Sequence, residues 1–404
     1  MKNNQRREFL KKSILGLSGV ALIPGRLHTS LNSNAEQTEI PVLPDRLLGK
    51  TGIKTPLISM GTGETNNPNL VRAAYYAGVK LFFSATYYGE GNNEKLAGEG
   101  LKGLPRDSFI IGTAASPDGF DERTGSMTAP VDVNAYIKKA EASLGRFGLS
   151  YVDIFLFPYA GKRDVMLNES ILKALQMLKK QGKTRFLGVA THNNCDEALK
   201  AAADSRVYDV VMTAYNYQIG NKEVMNEALA YAAKAGVGIV AMKTMAGGYR
   251  DKSRTQTVNA SAALKWVLQN ENISSIVSGM SSIEELQKNI GMINNLKITE
   301  PEMKDLNITG LKTEPGLYCQ QCYQCVPQCP YNLDIPTIMR SYMYAYGYRN
   351  PRHAWHTLKE VGLTGVPCEK CNVCNVNCMA GFDLKDRIRD IARLKDVPEE
   401  FLFS

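Results

Sequence analysis

From residue 152 the chain reads Val152-Asp153-Ile154-Phe155-Leu156-Phe157, then Ser170-Ile171-Leu172-Lys173-Ala174-Leu175-Gln176-Met177-Leu178-Lys179-Lys180, then Arg185-Phe186-Leu187-Gly188-Val189-Ala190. The outer two runs are short and apolar, as strands buried on both faces are. The middle run spaces Ile171, Leu175 and Leu178 at the period of an amphipathic helix. Strand, helix and strand in succession make one crossover unit of a parallel sheet.

The same alternation extends in both directions. Strand-like runs fall at 56–60, 79–83, 109–113, 152–157, 185–190, 210–213, 238–242 and 274–277, with helical patterns such as 134–147, 170–180, 222–234 and 260–269 between them. Eight strand–helix pairs in about 250 residues predict an α/β fold, a (β/α)8 TIM barrel over residues 46–298, with its chemistry where strands end. An open doubly wound sheet is the alternative. Gly98-Glu99-Gly100-Leu101-Lys102-Gly103 matches the G-x-G-x-x-G string that would signal it. That fingerprint must follow a strand and open a helix. Here it ends a helical pattern and runs into Pro105, so it is not read as a nucleotide loop.

Eight of the nine cysteines lie after residue 318. Cys319, Cys322, Cys325 and Cys329, followed by Pro330, form C-x2-C-x2-C-x3-C-P, and Cys368, Cys371, Cys374 and Cys378 repeat the spacing. Three thiolates at three-residue intervals wrap one cube of iron and sulfide, and the fourth reaches across to the other cluster. Two identical ladders argue against disulfides, and structural zinc sites normally split their ligands into two distant pairs. Residues 317–404 therefore resemble a two-cluster 4Fe-4S ferredoxin-type domain. The long spacer with a helical stretch at 334–346 points to its mainly α-helical form. Met379 replaces the second proline, which alters the turn and leaves the ligand set complete. Cys195, the ninth, is expected to be a buried, inert thiol.

The composition gives 48 Lys+Arg against 40 Asp+Glu, a net charge of +8, with 44% hydrophobic residues. Those proportions exclude a disordered chain, a collagen and a multi-span membrane protein. Five units of that charge fall within residues 1–35, ahead of a ten-residue apolar stretch broken by Pro24. This stretch is too short to cross a bilayer, which takes about 20 residues, and reads as an export signal. Gln5-Arg6-Arg7-Glu8-Phe9-Leu10-Lys11 resembles the twin-arginine signal. The resemblance implies a bacterial protein exported folded by the twin-arginine translocation machinery to the periplasm or envelope, touching the membrane only through that signal. Two clusters with four thiolates each would bring the remaining +3 to about −1, which leaves no case for nucleic acid. Linkers are expected at 36–45 and 299–316.

Within the barrel, Leu47-Leu48-Gly49-Lys50-Thr51-Gly52 and the segments 78–89, 92–103, 151–157, 183–193, 236–248 and 279–289 resemble the aldo/keto reductase family in order and spacing. A barrel followed by paired cysteine ladders is similar to that family's iron–sulfur branch. The resemblance implies NAD(P) and a catalytic Asp, Tyr, Lys and His. Tyr88 takes the place of the tyrosine, while Phe83, Ala114 and Pro158 stand at the positions of the other three. A phenol of ordinary pKa near 10 is a poor acid or base at neutral pH without a cation beside it. The nicotinamide positions read Ala190-Thr191, Met212 and Met242. Gly279, Ser281, Ser282, Glu285 and Asn289 fall where relatives hold the nucleotide phosphates and adenosine. They equally suit plain capping of the last barrel helix.

Substitute groups lie on the same face: His192 (the one barrel histidine), Lys243, Tyr159, Lys162, Glu64 and Asn216. Tyr88 and His192 are the catalytic candidates, though each could be structural. Tyr87, Tyr88, Tyr159, Tyr215 and Tyr217 suggest an aromatic pocket for a sugar-like or flat substrate. The expected function is an envelope oxidoreductase passing electrons between a carbonyl or alcohol, or a tightly held nicotinamide, and two 4Fe-4S clusters. The alternative is a catalytically degenerate barrel that binds a ligand or serves as an electron-transfer subunit for a redox partner protein.

Overall fold

The computed structural model describes residues 40–402 except 123, 307–315, 364–366 and 370. The signal-like stretch at 1–35 lies outside the described residues. The described chain opens with an antiparallel hairpin, β1 (Asp45–Leu47) and β2 (Lys54–Pro56), with Arg46 opposite Thr55. Leu48, at its turn, is fully buried and plugs the bottom of the barrel interior.

Eight parallel strands then close a ring: β3 (Ile58–Gly61), β4 (Leu81–Phe83), β5 (Ile110–Ala114), β8 (Val152–Phe157), β9 (Thr184–Thr191), β10 (Val210–Ala214), β11 (Gly238–Met242) and β12 (Ser275–Gly279). The last strand pairs with the first, Ile276 opposite Ile58. Two short strands, β6 (Phe120–Asp121) and β7 (Ser126–Met127), form a hairpin above β5. Around the ring run α1 (Pro68–Tyr76), α2 (Asn92–Leu101), α3 (Val133–Phe147), α4 (Arg163–Met166), α5 (Glu169–Lys180), α6 (Cys195–Ser205), α7 (Lys222–Lys234), α8 (Ala260–Leu268), α9 (Ile283–Ile293) and α10 (Glu300–Asp305). Asn67, Asp132, Asn168, Asn259 and Ser282 each accept a backbone N–H at a helix start, which fixes where these helices begin.

The glycine string behaves as expected. Gly98 and Gly100 lie inside α2, and a Cβ at Gly98 would stand 2.3 Å from the Phe147 carbonyl oxygen. These glycines let helices approach; they cradle no phosphate. The stretch read as a linker at 299–316 starts instead with α10, whose Thr299 and Glu302 form a reciprocal capping box. Pro301 sits in its first turn, where a missing N–H costs nothing, so proline there marks a helix start.

The C-terminal region contributes α11 (Ile335–Tyr346), α12 (Pro351–Val361) and α13 (Leu384–Ala392). These helices pack over the C-terminal ends of the barrel strands. Ala246, in the loop after β11, shares an apolar cluster with Leu317, Ile335, Met339 and Met343. At Gly347 a Cβ would lie 2.2 Å from the Gly247 carbonyl oxygen, so only glycine permits the two backbones to meet there. The helical region is thereby seated on the barrel mouth. Among the described residues no helix is long and apolar enough to cross a membrane.

Candidate functional site

The floor of the mouth is apolar. Phe83 ends β4, Ala114 ends β5, and both are 3% exposed. With Ala190, Met212 and Met242 they belong to one interior cluster, and Pro158, just after β8, is buried. The Phe83 ring lies against Gly112, where a Cβ would stand 2.3 Å from its Cε1. Three of the four positions where the family resemblance implies polar catalytic groups are thus packed as core.

Polar groups gather above that floor. Tyr88 lies on the backbone of Gly63, edge-on to Tyr87 with centroids 5.0 Å apart. Tyr87 contacts Tyr159 at 5.3 Å, and Tyr159 stacks on His192 at 5.6 Å. Lys243 follows β11 with φ +57°, a left-handed conformation unusual for a lysine. Asn216 Nδ2 donates to its carbonyl at 3.1 Å.

The C-terminal helices supply a roof that sequence reading missed. Lys243 Nζ donates to Tyr344 Oη at 2.9 Å. Tyr344 stacks on His353 with centroids 4.0 Å apart, and His353 meets the Tyr88 ring at 5.6 Å. The Arg340 guanidinium lies 5.5 Å from the Tyr159 centroid. Glu64, in the loop after β3, accepts a hydrogen bond from Asn350 Nδ2 at 2.9 Å. His353 Nδ1 is 3.7 Å from Glu64, too long for a hydrogen bond but close enough for a charge to feel the ring. Nothing local in α11 or α12 distinguishes Tyr344 or His353 from ordinary core positions of an amphipathic helix.

Burial dominates the electrostatics. It pushes the Tyr88 phenol up to about 12, against the pull of Lys243 and Arg340. Burial, reinforced by Lys243, Arg340 and His353, holds His192 well below its usual value, so its imidazole is neutral. Its Nδ1 is buried and makes no hydrogen bond within the protein. Burial also lowers Lys243, with Tyr88 and Glu64 opposing the shift. For Glu64 burial acts upward, but His353, Asn350 and Lys243 together outweigh it and lower the carboxyl.

Other expected members fall elsewhere. Lys162 Nζ reaches Ser126 Oγ at 2.6 Å on the exposed side of the β6–β7 hairpin. Tyr215 turns into the helix layer, bonding Asn226 at 2.7 Å and packing on Trp266 at 5.1 Å, so it leaves the aromatic lining. Tyr217 packs between the barrel and the C-terminal helices. Cys195 Sγ sits 4.0 Å from the Thr191 carbonyl, and burial pushes its thiol up, away from reactivity.

At the end of β12 the side chains satisfy one another. Ser282 Oγ caps α9 by accepting from the Glu285 N–H at 3.2 Å. The Glu285 carboxylate accepts from the Ser281 N–H at 2.7 Å and from its hydroxyl at 3.0 Å. Asn289 is buried and donates to Ser278 Oγ at 3.2 Å. Glu64 lies beside Gly279, where a Cβ would be 2.7 Å from its Cγ. A carboxylate therefore holds the amide that a phosphate would take, and two carboxylates flank the approach. This donor set does not fit a nucleotide phosphate as it stands.

The thiols of the two ladders gather in two places. Cys319, Cys322, Cys325 and Cys378 line one small cavity, walled by Tyr323, Ile335, Met339, Phe382 and Leu384. The thiols that act on Cys368 are Cys371, Cys374 and Cys329. The first set thus takes three cysteines from one ladder and the last from the other, and Cys329 lies within electrostatic reach of the second ladder. Among the described residues no three His, Cys, Asp or Glu side chains converge as around a single ion. A cube of iron and sulfide, being larger, holds its thiolates further apart. Burial and neighbouring thiols push Cys319 up to about 12, and Cys325 and Cys368 up to about 11, so thiolates there require a cationic partner. The apolar walls, the four-thiol sets and this demand for positive charge fit 4Fe-4S clusters.

A closed parallel barrel with a thiol-rich helical cap on its mouth defines a barrel oxidoreductase carrying an iron–sulfur domain. Residues 61–262 match the aldo/keto reductase family, and residues 318–383 match a 4Fe-4S dicluster domain. The chain belongs to the aldo/keto reductase family. It is 27% identical to L-galactose dehydrogenase of Arabidopsis thaliana over 312 residues, covering 67% of this chain and 94% of that protein. It is 23% identical to L-glyceraldehyde 3-phosphate reductase of Escherichia coli, covering 65% of this chain and 91% of that protein. Among solved structures, aldo-keto reductase AKR11C1 from Bacillus halodurans superposes with a TM-score of 0.54 at 18% identity, over 67% of this chain and 97% of that one. An aldo-keto reductase from Klebsiella pneumoniae, in complex with NADPH, gives 0.52 at 20% identity, over 68% and 99%. These likenesses extend over the barrel fold.

Proposed function

We propose that the protein is an exported oxidoreductase in which electrons pass between a small carbonyl or alcohol, sugar-like in class, bound at the barrel mouth, and two 4Fe-4S clusters. Cys319, Cys322, Cys325 and Cys378 would hold one cluster, and Cys329, Cys368, Cys371 and Cys374 the other. Bound clusters supply one-electron redox capacity. The observation that carries the reading is the course of α11. Its Met339 lines the first thiol cavity, while Arg340 and Tyr344 reach Tyr159 and Lys243 in the mouth. Five residues of helix span about 7.5 Å, a short path from thiols to site. The roof covers the mouth in part, His192 offers an unpaired ring nitrogen, and Tyr88 is placed to hold or release a proton. The sugar-like class draws support from the name of the L-galactose dehydrogenase relative.

The twin-arginine-like stretch supports export in the folded state, which suits clusters installed in the cytoplasm. Electrons would then leave through an exported redox partner protein. Any nicotinamide nucleotide would travel with the protein as a tight prosthetic group, and it would require Glu285 to give up Ser281. A second reading, a degenerate barrel that only binds a ligand or relays electrons, is favoured by the apolar floor of Phe83, Ala114 and Pro158.

One preparation tests these readings. Protein is purified anaerobically from fractionated cells, and iron, sulfide and any nucleotide released by denaturation are counted. It is then mixed with aldoses and their alcohols while cluster absorbance is followed. The expected result is envelope recovery, about eight irons per chain, no nucleotide, and reduction or oxidation of clusters by substrate that Tyr88→Phe abolishes. Clusters that no donor reduces overturn the redox reading. Substrate-linked turnover overturns the degenerate one, and recovery only from cytoplasm overturns export.

A further inference from the structure

The mouth has lost the lysine and aspartate that would activate a tyrosine from below, yet Tyr88 is not alone there. A continuous chain of contacts leads from Tyr88 through His353 at 5.6 Å and Tyr344 at 4.0 Å to Lys243 at 2.9 Å. The lysine is positioned from several sides. Its backbone adopts φ +57°, its carbonyl accepts from Asn216 Nδ2 and from the Ala246 N–H at 3.1 Å each, and its ammonium is pinned by Tyr344. A non-glycine residue held in a sparsely populated conformation persists where the surroundings over-determine it, commonly at functional sites. Glu64 enters the mouth from the loop after β3, two strands along the ring from Lys243, fixed by Asn350 and laid beside Gly279.

Resting on the oxidoreductase reading above, we infer that Lys243 replaces the missing strand-three lysine as the cation beside Tyr88. Glu64 is its counter-charge, and the Tyr88 phenol is the proton donor and acceptor of the site. Lys243 is a positioning residue: it acts through Tyr88. In one direction the phenolic O–H bond breaks and the proton passes to a negatively charged oxygen of the bound substrate. This leaves a phenolate opposite the ammonium, which keeps its own protons. The reverse transfer restores the phenol. The inference concerns this proton alone. The activating cation has moved from one side of the barrel to another, and the iron–sulfur domain holds it there through Tyr344.

The charged and titratable groups around the phenol are Lys243, Arg340, Glu64, Tyr344, His353 and Tyr87. They allow a test in which opposite signs are required. The intact cluster-loaded protein is labelled with 3,5-difluorotyrosine, whose lower pKa brings titration into a range the fold survives. The Tyr88 fluorine resonance is assigned by its absence in Tyr88→Phe. Lys243→Met should raise the Tyr88 titration by about 1 to 3 units, and Lys243→Arg should leave it near wild type. Glu64→Gln should move it down. An unchanged Tyr88 in Lys243→Met overturns the inference. So does a shift in the same direction for Lys243→Met and Glu64→Gln, because structural disturbance has no sign. If Tyr88 responds as expected while no substrate alters the clusters, the oxidoreductase reading falls and the pairing stands.

Discussion

Phe83 shows how a single position changes the chemistry available to a barrel. Its ring fills the interior against Gly112 and leaves no charged group beneath Tyr88 on that strand. Restoring the family carboxylate there would not restore the family's site. Phe83→Asp removes a buried aromatic ring, which costs about 3–5 kcal/mol, and puts a carboxyl among apolar side chains. The expected outcome is a marked fall in the urea midpoint, with Phe83→Leu losing only about 1 kcal/mol. Adding Ala114→Lys should recover part of the loss through pairing, so that the double variant is more stable than the sum of the singles. Equal losses for Leu and Asp would show that the position is not packed as described. Asp153 makes the contrasting case at the bottom of the barrel. Buried at the start of β8, it bonds Arg106 and Arg185 at 2.7 Å each, and the Ile111 N–H at 2.9 Å. A carboxylate is stable in this barrel only where such partners surround it.

At the scale of elements, α12 docks on the barrel through His353, Asn350 and Glu64, and that contact should respond to pH. Burial holds His353 below its ordinary 6.5, with Glu64 opposing, so the folded protein favours the neutral ring. Its contribution to stability is present above 6.5 and is lost as pH falls through the folded value, at about 1.4 kcal/mol per unit of difference. Glu64, lowered from 4.5, adds a second loss beneath that value. Thermal midpoints should therefore drop between pH 7 and 5, and His353→Gln should flatten that slope; an unaltered slope would place the sensitivity elsewhere. The barrel was legible because its strands are continuous apolar runs and its helices carry their own caps. The thiol ladders were legible because spacing alone defines them, and Tyr88 because the family resemblance marks its position. The roof was not, because Tyr344 and His353 join the mouth only through contacts hundreds of residues apart, as between Asn350 and Glu64. Tyr215 misled for the matching reason: position at a strand end does not say which way a side chain turns.

For the whole molecule, the decisive feature is the exchange of last members proposed for the two cysteine ladders. Cys378 closes the cavity of Cys319, Cys322 and Cys325, and Cys329 joins Cys368, Cys371 and Cys374. The exchange ties together segments about fifty residues apart, so the loss of one cluster should loosen the cap as well as remove a redox centre. Met339 and Tyr323 line the first cavity, so a cluster held there would be the one that neighbours the barrel. Single alanine variants at Cys322, Cys378, Cys329 and Cys371 separate this arrangement from one in which each ladder keeps its own four thiols. Each variant should retain about four of about eight irons. The low-temperature electron paramagnetic resonance spectrum of the reduced cluster left in Cys378→Ala should match that of Cys322→Ala. Cys329→Ala should match Cys371→Ala. If Cys378→Ala instead matches Cys371→Ala, the ladders act separately, and the barrel-facing cluster is held without any thiol from the end of the chain.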